Sequence, residues 1–192
     1  MQGIFARSAR HPTRRATHAV RATAIGLLAV LALSGGVRLA RSADQVGAAS
    51  GLPVPRFVSL KSDRVTVRAG PTKDQDVLWL FTRAALPVEV TAESDNWRRI
   101  RDAEGAEGWV YHSLLSGRRT AVVEAKTKAK DELVPLRDRA SESGTVVARL
   151  QPGVLGSVKR CNGTWCQIAG EGFDGWIEQS RLWGVYPDEK ID

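Results

Sequence analysis

The sequence predicts a mainly β protein in which two tandem small β-barrels follow an N-terminal hydrophobic export segment. Three observations lead to this fold class. An uncharged apolar run follows a basic stretch near the N-terminus. Two units of similar sequence follow one another, offset by 67 to 69 residues. Within each unit, short alternating segments are separated by turn residues, and no window keeps a 3.6-residue apolar period over three turns.

The first 42 residues have the layout of an export signal. A basic stretch ends at Arg21, and residues 22–37 are uncharged and largely apolar. As a helix this run would span roughly 24 Å, less than a hydrocarbon core of about 30 Å. Residues 1–42 are therefore predicted to be a signal peptide or, if they are not cleaved, a membrane anchor. The rest of the chain is expected in the periplasm, either exported or held at the inner membrane and facing the periplasm.

The basic charge of the chain is concentrated in this leader. Of 28 lysines and arginines, seven precede Ser42, and no acidic residue precedes Asp44. The 21 basic residues that remain balance the 21 acidic ones. A neutral body has no excess of cations with which to displace counterions from a polyphosphate. We therefore expect no nucleic-acid partner, and contact with a membrane only through the N-terminal segment.

The repeat sets the predicted domain boundaries. Trp97 and Gly108 of the first unit match Trp165 and Gly175 of the second. The segment before the first unit is small, polar and rich in turn residues, which is typical of a linker. The predicted order after the leader is a flexible linker, a first domain, a second domain and a short tail, at residues 43–55, 56–123, 124–187 and 188–192.

Three motifs carry a resemblance to a known family. They are V-x-V-R-x-G-P at residues 65–71, the hairpin residue Trp97, and Gly-Trp-Val at residues 108–110 ahead of a leucine pair. This pattern resembles the bacterial SH3-like, or SH3b, domain family, and the tandem repeat is similar to exported alphaproteobacterial members. In the second unit Arg139 and Ala140 replace the Gly-Pro pair. The resemblance covers roughly residues 56–187 and implies two SH3-like barrels with a binding role.

The two cysteines predict a disulfide in the second unit. Cys161 and Cys166 flank an Asn-Gly pair, a strong hairpin-turn signal that puts them on adjacent strands. In an exported protein such a pair is typical of a disulfide, and free thiols are the alternative. A zinc site usually needs four ligands, and a redox-active pair is more often C-x-x-C.

No catalytic constellation is recognisable in the sequence. His112 is the one histidine outside the leader, and the second unit does not repeat it. A lone histidine needs a nucleophile or a second ligand for catalysis, so we interpret it as a turn residue. We expect no enzymatic activity, no catalytic or metal-binding residue and no cofactor.

The tryptophans divide into core and surface candidates. Trp109 and Trp176 follow a strand glycine and are predicted to be core anchors. Trp183 follows the last turn of the second unit and is expected to pack between or beneath the two units. Four other aromatic residues are candidates for ligand contact: Trp79, Trp97, Tyr111 and Trp165. Trp79 is the preferred one, because Ala148 replaces it in the second unit.

These observations predict a non-enzymatic binding module of the cell envelope. Its expected partner is cell-wall peptidoglycan or an envelope protein, recognised through aromatic surface grooves. The alternative is a structural or assembly protein that an uncleaved N-terminal helix anchors to the inner membrane.

Overall fold

The computed structural model describes residues 45–125 and 132–192. The predicted export segment at residues 1–42, and most of the charged segment between the two units, lie outside the described residues. Within the described ranges, no helix has the length and apolar character to cross a membrane. The helical elements found there are two three-residue 3-10 turns, at His112–Leu114 and Gln179–Arg181.

The first barrel is a seven-stranded antiparallel sheet that follows a short hairpin. The hairpin strands are β1 (Gln45–Val46) and β2 (Pro53–Val54). The barrel strands are β3 (Arg56–Leu60), β4 (Val65–Arg68), β5 (Val77–Phe81), β6 (Pro87–Ser94), β7 (Trp97–Arg101), β8 (Glu107–Tyr111) and β9 (Leu115–Ser116). The order in the sheet is β5-β4-β8-β7-β6-β3-β9.

The second barrel repeats this arrangement strand for strand. Its strands are β10 (Thr120–Val123), β11 (Val134–Arg137), β12 (Val146–Leu150), β13 (Leu155–Asn162), β14 (Trp165–Gly170), β15 (Phe173–Glu178) and β16 (Leu182–Trp183). Their order is β12-β11-β15-β14-β13-β10-β16, and β17 (Lys190–Ile191) adds to the edge of β13. The prediction of two tandem small barrels is confirmed.

The strand pairing corrects two of the predicted boundaries. β10 pairs with β13 and β16, so residues 120–123 belong to the second barrel and not to the first. The predicted boundary between residues 123 and 124 is wrong by one strand, because β10 is the counterpart of β3. The predicted tail is also part of the fold, since β17 pairs with Cys161 and Asn162 at the end of β13.

Each barrel encloses a core of aliphatic side chains supplied by alternate strand positions. In the first barrel Val65, Val67 and Val110 are fully buried, and in the second Leu136 and Ile177 are. Alternation places every second residue of a strand on the opposite face. On β8 and β15 the core residues are therefore the ones directly before and after the tryptophan.

The Gly-Trp-Val motif is oriented with its glycine inward. A Cβ at Gly108 would lie 2.4 Å from Val67 Cγ1, so the core leaves no room for a side chain there. Trp109 consequently lies on the outer face, next to Arg68 and Arg99 on the adjacent strands. Its side chain is partly exposed and does not belong to the core cluster.

Trp176 lies in the same way on the outer face of the second barrel. The Arg160 guanidinium lies 4.9 Å from the centre of its ring, which is a cation–π contact. The prediction that Trp109 and Trp176 are core anchors is therefore wrong. The inward positions of their strands belong to the glycine and to the aliphatic residue on either side.

The predicted disulfide between Cys161 and Cys166 is confirmed. The two residues lie directly opposite each other on β13 and β14, with a Cα–Cα distance of 4.1 Å. In the first barrel, Glu93 and Arg98 occupy the same paired position on β6 and β7. Arg98 Nε lies 3.2 Å from Glu93 Oε1, and the Glu93 side chain is 1% exposed. The same two strands are thus joined by a covalent bond in one barrel and by a buried ion pair in the other.

The segment predicted to be a flexible linker is tied to the first barrel. The turn between β1 and β2 is held by Glu93, which accepts hydrogen bonds from Ala49 N at 3.1 Å, Ser50 N at 2.9 Å and Ser50 Oγ at 2.6 Å. Arg56 also donates to Glu93 at 2.8 Å. The linker prediction is wrong for residues 45–55. Small, polar residues suit a linker and a tight turn equally, and a buried carboxylate on another strand decides between them.

Candidate functional site

The two barrels meet through β16 of the second barrel and the segment that follows it. The Phe57 ring contacts Trp183 edge-on, with 5.1 Å between ring centres, and Tyr186 at 4.7 Å. Trp183 Nε1 donates to Pro87 O at 3.2 Å. The expectation that Trp183 packs between the units is confirmed, and Tyr186 joins it there.

A buried polar group lies beside these aromatic rings. Glu89 is 3% exposed, and its carboxylate accepts hydrogen bonds from Arg101 and, at 2.9 Å, from the Tyr186 hydroxyl. Burial and the Glu89 charge raise the pKa of Tyr186 well above its usual range. The hydrogen bond and charge of Glu89 likewise raise the pKa of Arg101. Tyr186 is therefore a neutral donor from the second barrel to a carboxylate of the first.

Gly184 allows the barrels to approach closely. Its φ is +117°, and a Cβ there would lie 2.3 Å from Thr120 O and 3.0 Å from Pro87 Cβ. Arg119 holds the same segment by donating to Gly184 O at 2.9 Å and to Glu189 Oε1 at 2.7 Å. Burial would raise the pKa of Glu189, but the hydrogen bonds from Arg119 and Tyr186 N and the Arg119 charge together outweigh it, so the pKa is lowered. Residues 184–189 are thus held both by a hydrogen bond to the backbone carbonyl of Gly184 and by the Arg119–Glu189 ion pair.

A groove of about 660 Å³ opens beside this junction. Its lining includes Phe57, Glu89 and Arg101 from the first barrel, whereas its other described residues belong to the second. The apolar part is formed by aromatic and aliphatic side chains: Phe57, Trp165, Leu182, Trp183, Val185 and Tyr186. The polar part is mainly acidic, with hydroxyl and amide groups between the acids: Glu89, Glu124, Glu142, Glu178, Asp188, Thr164, Gln179 and Ser180.

Gln179 is the one side-chain amide in the described lining of the groove. It is 5% exposed, and its Nε2 donates to Tyr186 O at 2.6 Å and to Glu189 O at 3.0 Å. Its Oε1 is buried and has no hydrogen-bond partner among the described residues. Because Nε2 already donates two hydrogen bonds, any further hydrogen bond of this side chain would have to be accepted by Oε1.

One of the four ligand candidates, Trp165, lines this groove. Trp97 is buried, and its ring packs edge-on against Tyr111 with 5.4 Å between centres. Tyr111 also contacts the His112 ring at 5.1 Å, and His112 itself is exposed in a turn. These residues lie at the end of the first barrel and outside the groove.

Trp79 is not the exposed aromatic residue that the sequence suggests. Its partly buried ring packs against the core of the first barrel and edge-on against Phe81, with 6.0 Å between centres. It lies opposite Val67 on β4, whose side chain is fully buried. Ala148, which replaces it in the second barrel, also packs against that barrel's core. A residue that differs between the copies can therefore still be a core residue.

Sequence reasoning missed most of the groove. Phe57 and Tyr186 lie just outside the repeated motifs, at the two ends of the double unit, where the comparison of the copies gives no signal. Glu89 and Arg101 are directly opposite on β6 and β7, but a β-bulge between Val90 and Ala92 shifts the register, so counting from the hairpin turn would have paired Arg101 with Val90. Among the residues that the structure describes, no group of His, Cys, Asp and Glu side chains could hold a metal ion.

Comparison with known proteins identifies the repeated unit. The family model described as "Bacterial SH3 domain" matches residues 61–117 and 130–184. Among the curated proteins, none matches the chain.

Two solved structures are similar over part of their length. NlpC2 from Trichomonas vaginalis is 12% identical, over 68% of this chain and 48% of that one, with a TM-score of 0.29. NlpC1 from Trichomonas vaginalis is 14% identical, over 71% of this chain and 48% of that one, also with a TM-score of 0.29. The chain spans about half the length of these two proteins. The family match alone carries the assignment.

Proposed function

We propose that this chain, which belongs to the bacterial SH3 domain family, is a binding module that recognises peptidoglycan of the cell envelope through the groove between its two barrels. The observation that carries the proposal is the groove itself, which is lined by aromatic and aliphatic side chains together with polar ones. Small-ligand sites combine apolar walls with a few placed polar groups in this way. Both barrels contribute to the lining, so the proposed binding unit is the pair.

The size of the groove favours a segment of a polymer over the surface of a globular protein. A volume of about 660 Å³ lies within the range of small-molecule sites, whereas a stable protein interface buries on the order of 800 Å² on each partner. Peptidoglycan offers sugar rings and short peptides of suitable dimensions. An export segment in the leader, as the sequence predicts, would bring the chain to this polymer.

The chemistry of the lining supports binding over catalysis. The described lining includes neither histidine nor cysteine, and both cysteines of the chain form the disulfide. Glu89 and Arg101 neutralise each other at the junction of the barrels. A catalytic role would need a general base beside a nucleophile or an activated water.

Co-sedimentation with purified sacculi tests the proposal. We expect the full chain to pellet with sacculi, and Ser180→Trp to reduce the pelleted fraction, because Ser180 is an exposed residue of the groove lining and an indole there would fill the groove. The measurement is the amount of protein in pellet and supernatant over a range of sacculus concentrations.

The repeat supplies a matched control. Ser113 is exposed at the corresponding place in the first barrel, within the 3-10 turn His112–Leu114, and lies outside the groove. Ser113→Trp should pellet like the unchanged chain. If the unchanged chain stays in the supernatant while a known peptidoglycan binder pellets, the proposal is wrong. If both tryptophan variants pellet equally well, the groove is not the site.

A further inference from the structure

The edge strand β5 of the first barrel presents an apolar surface to solvent. β5 is the terminal strand of its sheet, and β4 is its one strand neighbour among the described residues. All five residues of β5 are hydrophobic, and Val77, Leu78 and Leu80 are exposed. The backbone N–H and C=O groups on the free side of such a strand can pair with a strand of another chain.

The equivalent strand of the second barrel carries a charge that β5 lacks. β12 also ends its sheet, and it has a bulge at the same place in its pairing, so the bulge does not distinguish the two edges. The offset of 69 residues that aligns Val77 with Val146 places the exposed residue Arg149 where β5 has Leu80. A charged side chain on an edge strand opposes pairing with another chain. Of these two edges, β5 is therefore the one suited to it.

Leu80 lies on the outer face of this edge. Trp79 and Phe81, its neighbours in the strand, both pack against the core of the first barrel. Strand alternation therefore directs Leu80 away from that core. A strand added beside β5 would place its own side chains next to Leu80, as in any cross-strand pair, and would displace no core residue.

The charges that flank β5 complement those of a second copy in the antiparallel direction. Lys73, Asp74 and Asp76 precede the strand and Arg83 follows it. The two acids are exposed, and neither forms an ion pair with a described residue. Arg83 is also exposed, and donates to Gly153 O at 3.3 Å. Antiparallel pairing brings the acids of each copy toward Arg83 of the other, whereas parallel pairing would bring like charges together.

We propose that two copies of this chain associate through β5, paired antiparallel about a two-fold axis, so that one sheet continues across both first barrels. A two-fold pairing closes on itself and gives a dimer, not a fibre. Each copy contributes one strand of five residues, which is a small interface, so we expect the dimer to dissociate on dilution. β5 lies outside the groove, and the inference therefore does not depend on the proposed function.

Sedimentation velocity of the full chain over a series of concentrations tests this inference. We expect the mean sedimentation coefficient of the unchanged chain to rise with concentration toward that of a dimer. Leu80→Arg should weaken the association at least about tenfold, because it places two like charges at the pairing edge. The fold tolerates this residue there, since β12 carries Arg149 at the same position.

Val147→Arg is the matched control for this substitution. Val147 is exposed on β12, so this variant should associate as the unchanged chain does. If the unchanged chain stays monomeric up to about 1 mM, or if Leu80→Arg associates equally well, the proposal is wrong. Loss of association in Val147→Arg with Leu80→Arg unaffected would place the contact on β12 and would also overturn it.

Exchange of the flanking charges tests the identity and direction of the partner strand. Asp76→Arg and Arg83→Asp should each weaken the association by about tenfold, because each replaces an attraction by a repulsion at both symmetry-related ends. The double variant should recover the association of the unchanged chain. A double variant as weak as the single ones would overturn the antiparallel pairing of two copies.

Discussion

Glu93→Gln is expected to destabilise the protein by about 3 kcal/mol, at the lower end of the cost of breaking a buried ion pair. The Glu93 side chain is 1% exposed and compensates two arginines, Arg56 and Arg98. An amide in its place leaves these guanidinium groups without their anion and cannot accept the same set of hydrogen bonds from Ser50. The measurement is the free energy of unfolding from urea denaturation.

The same substitution on a surface ion pair is the control. Glu107 pairs with Arg99, and their side chains are 33% and 49% exposed. Glu107→Gln should cost less than about 1 kcal/mol, as exposed pairs do. Equal losses of stability in the two variants would contradict the description of Glu93 as the charge on which this end of the barrel depends.

The pH dependence of stability provides a second check on Glu93. Burial alone would raise its pKa, but hydrogen bonds from Ser50 and Arg56 and the Arg98 charge lower it to about 2 from 4.5. Because the pKa of Glu93 is lower in the folded chain, its ionised carboxylate stabilises the fold fully at a pH above the ordinary pKa of 4.5. This stabilisation is lost as the pH falls toward 2. Glu93→Gln should therefore lose less stability than the unchanged chain between these pH values.

Gly184→Ala is expected to destabilise the protein by about 3 kcal/mol and to abolish binding to sacculi. The positive φ disfavours any side chain at this position, and the added Cβ would lie 2.3 Å from Thr120 O, a backbone atom that cannot rotate away. The segment of residues 184–189 would have to move, and with it Tyr186, which lines the groove. Urea denaturation and co-sedimentation measure the two effects.

Gly172→Ala is the control that measures the cost of a positive φ alone, without the steric clash expected at Gly184. Gly172 has a φ of +77°, and no atom lies within 4 Å of the Cβ that alanine would add, so the substitution carries only the backbone penalty, about 1 kcal/mol. Its binding to sacculi should equal that of the unchanged chain. If Gly184→Ala binds as well as Gly172→Ala does, the junction between the barrels does not shape the site.

The repeat made the fold predictable, and its alignment also indicated that the two strands of each long hairpin are linked near the turn. The offset of 68 residues at the hairpin that carries Trp97 aligns Glu93 with Cys161 and Arg98 with Cys166. The buried ion pair could thus have been predicted as the counterpart of the disulfide. Two different chemistries at one position indicate that this end of the hairpin requires a link between its strands.

The incorrect prediction for Trp109 and Trp176 shows that the size of a side chain does not decide which face of a strand it occupies. The prediction of a core position for Trp109 depends on the buried area that large aromatic side chains supply. Strand alternation at Gly108, Trp109 and Val110 puts glycine and valine on one face and tryptophan on the other. The fully buried Val110 identifies the inner face, so period-two alternation is the stronger rule in a barrel this small.

The groove was beyond prediction because it depends on how the two barrels pack. Phe57 and Tyr186 are 129 residues apart in the sequence, and no local pattern brings their ring centres to 4.7 Å from each other. The sequence indicated Trp165 and Trp183 as residues near a surface or junction. It could not show that the acidic residues around them would share one cavity.

Backbone amide shifts of the ¹⁵N-labelled full chain, titrated with peptidoglycan fragments released by a muramidase, test most directly whether the two barrels bind as one unit. We expect the largest shifts at Gly163, Thr164 and Ser180 of the second barrel, together with shifts at Phe57 and Arg101 of the first. Shifts confined to a single barrel, or centred on the edge strand β5 with the groove unchanged, would contradict the account.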